Sequence, residues 1–322
     1  MNSELVIPEG NKKTLAELVG VSVDTSSSDN NNKDSKTSNL ARLKILKNAT
    51  MGVKNIEGKD MNLEVIPAGA YKLDIDGTNI YCINPIVRFF AQREQWQRFD
   101  TENNRMDRSI MAEKLWNFNL KDTTGTFNLG RPKAYDLEFK KKSKDYQQQI
   151  KAIKRTKILF GTIDFNGNAL DEFGIPVKGY DDPIPFILDT RNGTSIKNIE
   201  TFWDQVKDFT ADQMDFPKQK EVREKAIKSN KGTFANKNAE NLMRNRVTLG
   251  AENFDTGFSW CAIVIKNTVV EDLIDGDIET LIAFDDWISW SNDYVDNLWK
   301  ENNVEQLSDA QAELVEEFMD VE

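Results

Sequence analysis

A mainly β fold of the α+β class is predicted: a partly open antiparallel barrel carrying helical insertions and a C-terminal helix. Three observations point there. Short β-prone segments recur between turn signals, among them Leu63–Ile75, Ile80–Phe99, Ile158–Phe165, Ile184–Leu188, Arg246–Leu249 and Phe258–Ile265. Two long polar stretches interrupt them, over Gly130–Lys157 and Lys218–Arg246. The last apolar stripe, Leu281, Phe284, Trp287, Ile288 and Tyr294, has helical rather than strand spacing. The small architecture that best fits this order is the oligonucleotide/oligosaccharide-binding (OB) barrel, with a sheet sandwich as the alternative.

In chain order, residues 1–39 read as a flexible arm and linker. Ser22–Ser38 is almost entirely Ser, Asn, Asp, Thr and Lys, which offers nothing to offset chain entropy. Residues 40–270 read as the domain. Leu63–Ile75 is a strand interrupted at Pro67–Gly69, and Asp76-Gly77 is a turn signal. Trp116–Leu120 alternates as a strand does, and Thr126–Leu129 can return beside it. Tyr135–Lys157 is helical in composition. Gly161 inside an apolar run signals a bulge or a close backbone approach. Thr194 or Ser195 caps a helix starting near Ile196, with Ile199, Trp203 and Val206 on its apolar stripe. Residues 271–304 form the C-terminal helix, and residues 305–322 an acidic tail.

The long stretch Ile80–Phe99 organises the rest. Its odd positions carry Tyr81, Ile83, Val87 and Phe89, and its even positions carry Arg88, Phe90, Gln92, Trp96 and Arg98. A strand sends these sets to opposite faces. One face then fills a core, and the other displays aromatic rings beside guanidinium groups, which suits bases stacked over a held phosphate backbone. The same pattern also suits a second small core with solvated arginines.

Charge is divided unevenly. The 322 residues carry a net −11, yet Glu271–Glu322 holds 17 acids against Lys300 alone. The rest of the chain has 36 acids and 41 bases, a net +5. Gly130–Lys157 supplies ten bases against three acids, and Lys218–Arg246 nine against three. Two basic insertions beside a barrel can track a phosphate backbone. Lysine-rich solvated helices have the same composition.

Several chemistries are disfavoured. The chain has no histidine and only Cys82 and Cys261, so a zinc site is not expected. Gly125–Gly130 lacks the Lys-Ser/Thr of a phosphate loop. Asp164-x-Asn166-x-Asn168 opens like a calcium loop, but Ala169 and Ile175 stand where Gly and Glu are needed. No nucleophile motif appears, and no enzyme activity or cofactor is expected. Neither a membrane-spanning run nor a signal peptide is read, so a cytoplasmic location is expected.

The order of Ile66–Ala70, Val87–Phe90 running to Arg98-Phe99, Ile158–Ile163, Pro185–Leu188 with the Gly193-Thr-Ser helix start, and Phe258–Ile265 resembles the single-stranded-DNA-binding proteins of tailed bacteriophages. The resemblance implies an OB fold, an acidic tail that contacts polymerase, helicase or recombinase partners, and action in DNA replication or recombination within the host cytoplasm. Two features depart from it: the ligands of a structural zinc are missing, and the tail ends Phe318-Met-Asp-Val-Glu322. The reading expects sequence-tolerant binding of single-stranded DNA. Arg88, Phe89, Phe90, Trp96, Arg98 and Trp116 form the stacking strand and its neighbour, while Arg131, Lys133, Lys141, Lys154 and Arg155 hold phosphates. The tail competes with DNA and recruits partners. The rival is a virion or assembly protein using the same domain for protein contacts, and a magnesium nuclease ranks third.

Overall fold

The computed structural model describes residues 40–56, 59–75, 77–101, 104–113, 115, 121–124, 140–207, 242–255, 259–273 and 275–319. The expected strands at Trp116–Leu120 and Thr126–Leu129, and most of the second basic insertion, lie outside these residues. The chain divides into two compact units, Met1–Gln92 with Ile158–Trp287, and Arg93–Lys157 with Ile288–Glu322. Among the described residues no helix is long and apolar enough to cross a membrane.

The fold is mainly β. Eleven strands are described: β1 Ala41–Ile45, β2 Thr50–Ile56, β3 Lys59–Ile66, β4 Tyr71–Ile75, β5 Thr78–Cys82, β6 Ile86–Asp100, β7 Arg105–Arg108, β8 Lys154–Asp164, β9 Ile184–Thr190, β10 Asn245–Asp255 and β11 Ser259–Val270. Among the described residues three helices are delimited with them: α1 Lys144–Ala152, α2 Gly193–Lys207 and α3 Asp275–Met319. The main sheet runs β11-β10-β6-β8-β9-β1-β4-β5, with β7 paired to β6; β2 and β3 form a separate ribbon. The path has two ends and is not closed into a barrel. It is also mixed rather than wholly antiparallel, because β1 and β9 pair in parallel.

In the first unit the sheet coils until non-neighbouring strands touch. The Tyr71 hydroxyl on β4 donates to the Gly250 carbonyl on β10 at 2.8 Å. A Cβ at Gly69, whose φ is +84°, would sit 2.5 Å from the Ala251 side chain. Leu43, Leu73, Phe89, Leu159, Phe186 and Ile263 are buried in the core that results. Gly161 makes the close approach its sequence context suggested: a Cβ there would lie 2.5 Å from the Arg88 carbonyl and 2.9 Å from the Phe186 ring.

Three local expectations are corrected. Ile80–Phe99 is two strands, because Pro85 has no N–H to offer a ladder and Asn84 turns the chain with φ +54°. The helix near Ile196 is capped by Asn192, whose side-chain oxygen accepts from the Ser195 N–H at 3.0 Å. The Ser195 hydroxyl, buried, accepts instead from the Ile263 N–H of β11 at 2.9 Å. In α3 the apolar stripe closes on the fully buried Val295, and Tyr294 is half-exposed. The same helix continues past Asn303 to Met319.

Candidate nucleic-acid interface

The predicted binding strand is covered on both faces. In the first unit Phe89 is fully buried, with its ring centroid 5.6 Å from that of Trp203 on α2 and 6.3 Å from that of Phe186. Phe90, on the opposite face, is buried 5.7 Å from Phe284 of α3. A strand at the edge of one core shows alternation; β6 has an apolar layer on each side, so neither ring is displayed to a base. Arg88 is also committed. It donates to Asp277 at 2.7 Å and to Glu271, while the cross-strand Arg246 donates to Asp164 at 2.6 Å and to Glu271 at 3.3 Å. Three carboxylates thus neutralise two guanidiniums held on adjacent strands.

The second unit repeats the pattern. Trp96 is buried with Ile150 and Ile153, with Tyr146 and Leu115 alongside. Arg98 donates to the buried Asp107 at 2.7 and 3.2 Å, and Arg105 donates to the other oxygen of Asp107 at 3.1 Å. Arg155 is exposed but pairs with Glu94, whose same oxygen lies 3.9 Å from the buried Lys157 ammonium. Trp116, Arg131 and Lys133 lie outside the described residues.

The lysines behave differently. Lys140, Lys141, Lys142, Lys144, Lys151 and Lys154 are all exposed around α1, with Asp145 the acid among them. Among the described residues none of the six is drawn into an ion pair. The helix that carries part of this cluster is short but well defined. The Ser143 hydroxyl accepts from the Tyr146 N–H at 3.2 Å, Asp145 stands in the first turn and Lys151 in the last, each matching the helix dipole. Ile153 then turns to extended geometry and β8 begins at Lys154. Lys154 and Arg155 are therefore strand residues, where the sequence suggested a helix through Lys157; the β-branched Thr156 and Ile158, both buried, favour the ladder.

Exposed aromatics occur where the sequence reading did not place them. Phe99 and Met106 are direct cross-strand partners on β6 and β7, and each is more than two-fifths exposed. Trp290 and Tyr294, one turn apart on α3, are similarly exposed, and the Arg108 guanidinium lies 5.6 Å from the Tyr294 ring centroid. The sequence did carry a signal: Trp290 falls outside the stripe running through Phe284, Trp287, Ile288 and Val295.

Charge within this unit is segregated by segment. Arg93–Lys157 holds sixteen Lys and Arg against nine Asp and Glu, whereas Ile288–Glu322 holds ten acids against Lys300. Asp296 joins the two by accepting from Lys121, and it also lies 2.7 Å from Lys300; these hydrogen bonds hold its carboxyl below the usual range. Comparison with protein-family models, with curated proteins and with solved structures found no match.

Proposed function

We propose that the protein binds single-stranded DNA without sequence preference, in phage DNA replication or recombination, and that the exposed lysines around α1 are its phosphate contacts. The observation that carries this reading is that cluster: six exposed lysines against Asp145, in a segment of strong positive balance. Phosphate attraction supplies most of sequence-tolerant affinity, so the reading does not need the buried rings of β6. Stacking passes to Phe99, Trp290 and Tyr294, half-exposed rings of the same unit, with Trp290 the fluorophore that reports it. The coiled, open sheet is read as an OB-like scaffold, and the acidic end of the chain as a competitor for the lysines and a docking point for polymerase, helicase or recombinase partners. The reading assigns no chemical step and no cofactor.

The deciding experiment titrates the full chain with poly(dT) at two salt concentrations, following tryptophan fluorescence, and repeats it with Lys140, Lys141 and Lys142 changed to Ala. Salt-sensitive quenching that weakens in the triple variant supports the proposal. An unchanged spectrum at low salt sinks it and leaves the virion or assembly reading.

A further inference from the structure

The β2–β3 ribbon is built unlike the rest of the first unit. It pairs with no strand of the main sheet, so among the described residues both of its long edges lack a ladder partner. Met51 and Val53 lie on one face of β2, 58% and 67% exposed, and Met61 of β3 is 47% exposed. A free two-stranded ribbon is marginal in water, and natural edges are normally blunted by charge, proline or a covering loop.

The two edges differ. β3 carries Lys59, Asp60 and Glu64, and at its base a loop closes over it: a Cβ on Gly174 would stand 2.5 Å from the Val65 carbonyl. β2, Thr-Met-Gly-Val-Lys-Asn-Ile, has Lys54 as its single charge and no proline. We infer that β2 is a self-association edge, pairing antiparallel with β2 of a second copy about a two-fold axis at Val53.

That register sets Val53 against Val53, Met51 against Asn55, Lys54 against Gly52 and Thr50 against Ile56. No like charges oppose one another. Met51 and Val53 of both copies share one face of the resulting four-stranded sheet, where each covers part of its neighbours. Centring β3 on its own midpoint, Asn62, sets Asp60 against Glu64 twice, which disfavours that edge. A seven-residue strand pair is a small interface, so the dimer is weak and reversible, with a Kd of about micromolar or above. Because the exposed face lies away from the core, substitutions at Val53 leave the fold intact.

Sedimentation of the full chain without DNA tests this, together with cross-linking. Wild type should show a concentration-dependent monomer–dimer equilibrium. Val53→Lys should weaken it by roughly tenfold or more, since it opposes two ammonium groups at the axis. Val53→Cys should form a disulfide-linked dimer with oxidised glutathione, whereas Met51→Cys, which faces Asn55, should link far less. Cys82 and Cys261 are buried and contribute little background. A wild type that stays monomeric up to its solubility limit overturns the inference. So does a Val53→Lys variant that dimerises normally, or equal linking at positions 51 and 53. None of these readings involves DNA, so failure here leaves the proposed function standing.

Discussion

The strand β6 and the segment around α1 were both candidates for touching DNA, and they share a composition of cations with interspersed apolar residues. The structure separates them by where the carboxylates are. Both cations of β6 in the predicted site, Arg88 and Arg98, donate to carboxylates of the same unit, and the predicted rings Phe89, Phe90 and Trp96 are buried. Around α1 the lysines outnumber the acids and stay in water. An arginine between aromatic residues is what a covered strand needs to seat ion pairs at its margins. A lysine run without matching acids has no such use inside a fold. The second pattern is therefore the better pointer to a phosphate-binding surface.

The sharpest way to break this contrast is Phe89→Ala. If the ring is core, the variant loses about 3–5 kcal/mol of stability by denaturant melting. The fraction that remains folded should bind single strands as wild type does. A well-folded variant with lost affinity would return the ring to the interface. Arg88→Ala is the next largest. It removes one partner from each of Glu271 and Asp277, with an expected loss of about 2–3 kcal/mol, near the low end for a buried pair because Glu271 is still a third exposed and keeps Arg246. Salt should rescue neither variant. A surface arginine would instead cost almost nothing and change the salt slope of binding.

How far the sequence went depends on the kind of signal. Mainly β content, the break at Pro67–Gly69, the tight approach at Gly161 and the burial of Ile199 and Trp203 all follow from local chemistry and periodicity. The parallel β1–β9 pair and the unclosed sheet do not, since strand order is set by long-range pairing that no local pattern encodes. The burial of Phe90 could not be read either. It depends on Phe284, nearly two hundred residues away in sequence, arriving on the face that alternation alone assigned to solvent. Asn192, rather than Thr194 or Ser195, caps α2 because Ser195 is needed by the backbone of β11.

A pH measurement probes the closed side of the comparison. Burial first, and then the Asp164 carboxylate, pushes the Cys82 thiol from its ordinary value near 9 up to about 12. The folded state thus favours the protonated thiol. This contribution to stability is complete below pH 9 and falls away as pH rises from there through about 12. In a Cys261→Ser background, Cys82 should resist alkylation at pH 9 unless denaturant is present. Prompt labelling of the folded protein would show that the core beside β6 opens, and would reinstate the rings as candidates for ligand contact.

The smallest effect on the fold belongs to the other side. Lys141→Ala with Lys154→Ala removes two exposed ammonium groups that make no ion pair among the described residues, so the melting temperature should be unchanged within error. Binding should respond through salt. Each phosphate contact on a single strand releases condensed counterions and contributes roughly 0.7 to the slope of log K against log salt, so the double variant should be shallower by about 1.4. The affinity lost should be largest at low salt and shrink as salt rises, because screening has already removed those contacts in the wild type. A stacking residue has the opposite signature: its loss costs affinity at every salt concentration and leaves the slope alone. Running Phe99→Ala beside the lysine pair gives both signatures on one unit. Equal slopes for all three proteins would mean that the lysines only solvate α1, and the contrast with β6 would then reduce to two ways of keeping charge away from a core.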